Sequence, residues 1–109
     1  MTTYFRTTTQ TNIGTTPVDI LTTSPSNIYT IMGLNLANTT DYDVIVDITV
    51  TDAVPRTAFY IKQLIIPPYT SAKVVTNGEK IVLANSCKLT ITSDTASSID
   101  AVASFAEIA

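Results

Sequence analysis

The segment 43–51, DVIVDITVT, carries an apolar side chain at every second position from Val44 to Val50, and the positions between them are polar except for Ile45. In an extended strand, one face would carry four branched apolar side chains, which we expect in the core: Val44, Val46, Ile48 and Val50. The opposite face would carry Asp43 and Asp47, in contact with water or a partner. β-Branched residues favour extended backbone, and a repeat of two residues is the period of a strand. The segment therefore predicts a strand with one buried face.

Similar runs recur along the chain between short turns, and none has the 3.6-residue repeat of a helix. The other expected strands are 18–22, 28–37, 58–66, 71–75, 80–83, 88–93 and 99–108. Pro67-Pro68 is typical of a strand end, and Asn77-Gly78 is typical of a tight hairpin. In the run 28–37, Gly33 indicates a bulge or a close approach of backbone, with Ile28, Met32, Leu34 and Leu36 expected on one face. Leu89 and Ile91 are expected in the core.

Eight or nine strands at this spacing predict an all-β fold, an antiparallel two-sheet β-sandwich of jelly-roll or immunoglobulin-like topology. A small closed barrel is the alternative. The immunoglobulin pattern of two cysteines around a tryptophan is absent, because the chain has one cysteine and no tryptophan. At 109 residues the chain is expected to form one domain over 17–109, preceded by a threonine-rich segment, 1–16, that is an extended arm or an edge strand. The segment would either order on a neighbouring molecule or form the first strand of the sandwich.

Composition narrows the functional classes. Charged residues make up only 14% of the chain, with a net charge of −3, so the surface suits a protein packed against neighbours or a secreted or cell-surface domain. The chain has no histidine, and Cys87, the one cysteine, is expected to be a small half-buried residue. We therefore expect no enzymatic activity, cofactor or metal.

Scattered lysines and arginines disfavour nucleic-acid binding, and no apolar run reaches the roughly 20 residues of a membrane span. The first residues lack the pattern of a signal peptide.

The aromatic side chains are the candidate contact residues. Phe59 and Phe105 are expected in the core. Four others are candidate partner contacts: Tyr4, Phe5, Tyr60 and Tyr69. Packing at the core or rim is the alternative for these residues, and Tyr60 and Tyr69 also suit stacking on a sugar. The fragment Asp41-Tyr42-Asp43 is similar to part of a calcium loop but lacks its glycine and distal glutamate, so turn capping or surface charge is expected.

The segment 46–108 resembles small virion proteins of tailed bacteriophages, especially those of marine and cyanobacterial phages. The matching stretches are 46–51, 60–66, Pro67-Pro68, 80–83, 88–93 and 97–108. The chain departs from that family at 84–87, where a Gly-Asp turn is frequent. The resemblance implies a virion structural protein, assembled in the host cytoplasm, that self-associates and contacts the major capsid protein or other virion proteins. A capsid decoration (cement) protein is expected. The alternatives are a neck, collar or tail component, or a carbohydrate- or receptor-binding module.

Overall fold

The computed structural model describes residues 2–75 and 78–109 and contains nine strands in that part of the chain. They are β1 (Thr3–Ile13), β2 (Val18–Thr22), β3 (Ile28–Asn38), β4 (Val44–Thr51), β5 (Thr57–Ile66), β6 (Ser71–Val75), β7 (Ile81–Leu83), β8 (Lys88–Ser93) and β9 (Ile99–Ile108). The all-β prediction is confirmed. Asn77, the first residue of the expected hairpin, lies outside the described residues. No helix among the described residues is long and apolar enough to cross a membrane.

The strands form two antiparallel sheets packed face to face. Sheet A has the order β1-β9-β3-β6, with β7 also paired to β3, and sheet B has the order β2-β8-β4-β5. The pairs β1–β9, β2–β8, β3–β6 and β4–β5 join the first half of the chain to the second half in reverse order. This is a long antiparallel ribbon wrapped into a sandwich, which is the topology of a jelly roll. The sandwich prediction is confirmed in its jelly-roll form.

The core lies between the sheets and contains the alternating residues that the sequence indicated. Five of the six predicted core residues of β4 and β8 have no exposed surface: Val44, Val46, Ile48, Leu89 and Ile91. Val50 is partly buried against the same cluster. Full burial of each such aliphatic side chain contributes roughly 1.5–3 kcal/mol. On the other face, Asp43 is exposed and Asp47 is half-buried. The register predicted for β4 is therefore confirmed.

Bulges overturn two expected core positions. Met32 was expected to face inward, but it is exposed because a register shift between Ile31 and Gly33 turns it outward. Ile31 is fully buried in its place. Ile28, expected on the same face as Leu34, is half-buried outside the core cluster, because it lies on the other side of the bulge. The bulge predicted at Gly33 is thus present. Phe105 is buried, as expected, and its ring lies 4.7 Å from that of Tyr29 between centroids.

Phe59 is the second correction, since its side chain is 54% exposed. Its strand, β5, shifts register twice along β4, so that Ile48 pairs with Ile61 while Thr49 pairs with Phe59. An extra residue between the two pairs moves Phe59 to the outward face, beside the outward-facing Thr49. The prediction that Phe59 fills the core is wrong because strict alternation does not continue through β5.

The N-terminal segment pairs along β9 of the same chain. Its register is regular from Thr3↔Ile108 to Gln10↔Ala101, and a shift follows between Gln10 and Ile13. Its neighbour in sheet B, β2, is less than half as long, so most side chains of β1 are exposed on both faces. Whether the segment 1–16 also orders on a neighbouring molecule stays a prediction.

Candidate interaction surface

Exposed aromatic and aliphatic side chains mark the candidate surface. All four predicted contact residues are exposed, at fractions of 47% for Tyr4, 77% for Phe5, 38% for Tyr60 and 75% for Tyr69. Tyr4 and Phe5 lie on β1, at the outer edge of sheet A, whereas Tyr60 lies on β5, at the outer edge of sheet B. Because β1 packs beside β2 and not beside β5, these edges are on opposite sides of the sandwich. The structure therefore places Tyr4 and Phe5 at one edge of the sandwich and Tyr60 at the other.

An ion pair fixes the part of β1 that carries Tyr4 and Phe5 to β9. Arg6 Nε donates to Glu107 Oε1 at 2.6 Å, and its guanidinium carbon lies 5.1 Å from the centre of the Tyr4 ring. Asn27 Nδ2 donates to the second carboxylate oxygen of Glu107 at 3.1 Å. The hydrogen bond from Arg6, followed by that from Asn27, lowers the pKa of Glu107. Tyr4 and Phe5 project to opposite faces of a strand that is held in place by these contacts.

Tyr60 links the two sheets. Its hydroxyl donates to Glu79 Oε2 at 3.0 Å, and Glu79 lies just before β7, which pairs within sheet A. Burial and, next, the hydrogen bond to Glu79 raise the pKa of Tyr60. Tyr60 is therefore partly exposed, while its hydroxyl is fixed by the hydrogen bond to Glu79.

Tyr69 lies at the corner between β5 and β6. Its backbone has a φ of 51°, and its N–H donates to the carbonyl of Thr40 at 3.1 Å. The adjacent Pro67 carbonyl accepts a bond of 3.1 Å from Asn38 Nδ2. Buried polar contacts therefore hold the backbone of the corner while the tyrosine ring projects into solvent.

A third exposed group, which sequence reasoning missed, lies on the outer face of sheet B. Phe59 and Ile65 are 54% and 59% exposed, and the half-buried Ile45 pairs with Ile65. Lys62 Nζ lies 4.2 Å from the centre of the Phe59 ring. We call Ile45, Phe59 and Ile65 the β5 patch. The ammonium group thus lies over the Phe59 ring, and Asp47 lies on the same face between Ile45 and Thr49. Exposed apolar side chains beside charged groups occur at protein contact sites.

A bulge orients the β5 patch. Gln63 has a φ of 57°, and its N–H donates to Asp47 Oδ1 at 2.8 Å. The side chain of Asp47 thus takes the place of a backbone acceptor where the ladder is broken. The polar pair Lys62-Gln63, which interrupts an otherwise apolar run, lies at this bulge.

A cleft of about 380 Å³ opens at one end of sheet B, between the ends of β2, β4 and β8, and includes Cys87 and Asp52 in its lining. The Cys87 thiol lies 3.6 Å from the Asn85 carbonyl oxygen. Cys87 is buried, whereas the sequence predicted a half-buried residue. Asp52 Oδ1 accepts from the backbone N–H groups of Arg56 and Val54, in that order of effect, which lowers its pKa. The Cys87 thiol and the Asp52 carboxylate therefore both contact backbone groups of nearby residues.

The fragment Asp41-Tyr42-Asp43 lies on the exposed β3–β4 turn. Within residues 2–75 and 78–109, no three acidic, cysteine or histidine residues lie close enough to hold a metal ion together.

Comparison with known proteins identifies a shared fold. No protein-family model matches the chain, and no curated protein sequence matches it. Solved structures do match. A chain of the T13 viral particle of infectious bursal disease virus matches with a TM-score of 0.56 and 10% identity, covering 96% of this chain and 30% of that chain. A chain of the Gx strain of the same virus matches with a TM-score of 0.55 and 14% identity, covering 95% and 33%.

The likeness is one of fold. This chain spans about a third of the length of each viral chain that it matches. The matched region includes 95% or more of this chain.

Proposed function

We propose that this chain is a non-enzymatic structural protein of a virion, and specifically a capsid decoration (cement) protein that binds major capsid subunits. The observation that carries the proposal is that nearly the whole chain matches the fold of one part of a chain from a viral particle. The resemblance of the segment 46–108 to virion proteins of tailed bacteriophages supports a phage origin. Jelly rolls serve many functions, so the decoration role must be inferred from the surface of the sandwich and not from its fold.

The exposed surface fits a protein that works in an assembly. Phe59 and Ile65 are both more than half exposed on the outer face of sheet B, although each could be buried if a partner covered that face. Beside the charged groups of Asp47 and Lys62, the same face carries the hydroxyl groups of Thr49, Thr51, Thr57 and Thr92. A hydroxyl group can hydrogen-bond to a partner without the cost of desolvating a charge. We assign the β5 patch to the major capsid subunit, with Tyr69 and Tyr60 at the border of the contact.

A binding experiment tests this assignment. Particles produced by a virus lacking the gene for this chain are mixed with the purified protein, and bound protein is measured after sedimentation. The double variant Phe59→Ser, Ile65→Ser should bind at least about tenfold more weakly, because truncating a hot-spot residue at the centre of an interface costs about 2 kcal/mol or more. The control is Val102→Ser, which removes an exposed apolar side chain from the outer face of sheet A.

Saturable binding of the wild-type chain and of the Val102→Ser variant, with loss in the double variant, is the expected result. Equal binding by all three proteins would contradict the assignment of the β5 patch. Absence of wild-type binding would contradict the decoration role itself.

A further inference from the structure

The outer edge of β1 differs from the other edges of the two sheets. β2 has five residues and a register shift, β5 has two shifts, and the far edge of sheet A is divided between the short strands β6 and β7. Short strands and bulges are the usual protections against pairing with another chain. β1 has eleven residues and is regular from Thr3 to Gln10. It is the edge most suited to accept a further strand.

The hydrogen bonds at the end of β1 show which backbone groups point outward. Thr2 and Ala109 exchange two bonds, of 2.7 Å and 2.9 Å. In an antiparallel ladder such pairs alternate with pairs that make no mutual bond. With a regular register up to Gln10, the even-numbered residues of β1 therefore bond to β9. The odd-numbered residues direct their N–H and C=O groups away from the sheet: Thr3, Phe5, Thr7 and Thr9.

We propose that a second copy of this chain docks at that edge, with the two β1 strands antiparallel about a two-fold axis that passes through Thr7. The contact joins two copies of sheet A into one continuous sheet and goes beyond capsid binding, because it forms between free molecules. Outward-pointing backbone groups of one copy meet the same groups of the other, which is the self-complementarity that a two-fold contact requires.

Charge and register select this arrangement. With Thr7 opposite Thr7, Phe5 faces Thr9 and Arg6 faces Thr8. If one β1 strand slides by two residues along the other in one direction, Arg6 of one copy lies opposite Arg6 of the second copy. Like charges directly opposite each other are destabilising. Sliding in the other direction brings the irregular backbone beyond Gln10 into the contact and shortens the regular pairing.

The side chains of β1 fit this register. Arg6 is already paired with Glu107 of its own chain, so the edge brings no unpaired cation to the contact. Threonine pairs across strands are favourable. The exposed Tyr4 ring, which β2 does not cover, would lie opposite Gln10 of the second copy.

The first experiment removes one outward backbone N–H. In Thr7→Pro the lost N–H does not bond to β9, and proline is accepted on a strand edge whose N–H faces outward. The matched control, Thr7→Val, keeps the N–H and the β-branched shape. Analytical ultracentrifugation should show a dimer for the wild-type chain and for Thr7→Val. Thr7→Pro should raise the dimer dissociation constant at least about tenfold.

The second experiment reads the register and does not depend on the proline variant folding. A Thr7→Cys variant should form a disulfide-linked dimer on mild oxidation, because directly opposed Cα atoms lie about 5.5 Å apart, within the range of a disulfide. In Thr9→Cys the two new thiols would be about 13 Å apart along the strand, so little cross-linking is expected. Cys87 is buried and does not compete.

A wild-type chain that stays monomeric up to about 100 μM would overturn the proposal. So would equal cross-linking of Thr7→Cys and Thr9→Cys. If the free chain is monomeric while Thr7→Pro weakens binding to particles, the strand that pairs with β1 belongs to a capsid subunit and not to a second copy.

Discussion

Asn38 Nδ2 donates a hydrogen bond to the carbonyl oxygen of Ile66 at 2.9 Å, joining the end of β3 in one sheet to the end of β5 in the other. Asn38 is 2% exposed, and the carbonyl oxygens of Tyr42 and Pro67 also lie 2.8 Å and 3.1 Å from Nδ2, so its two hydrogens are shared among three acceptors. Its Oδ1 accepts from the N–H and the hydroxyl of Thr40. One buried amide thus fixes the β3–β4 turn and the corner that presents Tyr69.

Asn38→Ala should therefore lower the free energy of unfolding by about 2–4 kcal/mol, because it removes the side-chain donor to the buried Ile66 carbonyl and the side-chain acceptor of the Thr40 N–H. Urea denaturation measures the loss. Asn35→Ala is the matched control on the same strand. Asn35 Oδ1 is buried without a hydrogen-bond partner among the described residues, so this change should stay within about 1 kcal/mol. Equal losses in the two variants would contradict the role assigned to Asn38.

Ile48 tests the core and the register of β4. It is fully buried and pairs with Ile61 on one side and Ile91 on the other. Ile48→Ala should lower the free energy of unfolding by about 2–5 kcal/mol, through lost burial and a residual cavity. Thr49→Ala, on the outward face, should cost less than about 1 kcal/mol. A loss below about 0.5 kcal/mol for Ile48→Ala would mean that the strand is shifted by one residue.

Glu107 makes the stability of the folded chain depend on pH in the acidic range. Its pKa in the folded chain lies below the ordinary 4.5, because Arg6 and then Asn27 hydrogen-bond to the carboxylate. A lowered folded pKa stabilises the fold above the unfolded pKa, and this contribution disappears as the pH falls through the folded pKa. The wild-type chain should therefore melt above Glu107→Gln at pH 7, and the two melting temperatures should converge as the pH drops below 4.5.

Melting curves of both proteins across this range give the measurement. Arg6→Gln, which removes the other half of the ion pair, should also approach the wild-type melting temperature in acid. A difference between wild type and Glu107→Gln that stays constant from neutral to strongly acidic pH would contradict the assignment.

The local sequence pattern predicted the bounds of the strands better than it predicted which side chains point into the core. The bounds of β2, β6, β8 and β9 match the predicted segments, because alternation and turn residues are properties of the strand itself. Phe59 and Met32 were misplaced, because a bulge depends on the partner strand. The contact of Asp47 with the Gln63 N–H, which holds one such bulge, joins residues from two strands. The same reasoning identified Tyr4, Phe5, Tyr60 and Tyr69 as contact candidates but missed the β5 patch, whose exposure follows from the bulges.

The direct test of the proposed virion role is electron cryo-microscopy of intact, purified particles of a virus whose genome encodes this chain. We expect density for the jelly roll at symmetry-related positions on the capsid, with the β5 patch of Ile45, Phe59 and Ile65 against the major capsid subunit. Density confined to the neck or tail would contradict the decoration role, and absence of the chain from purified particles would contradict the virion role altogether.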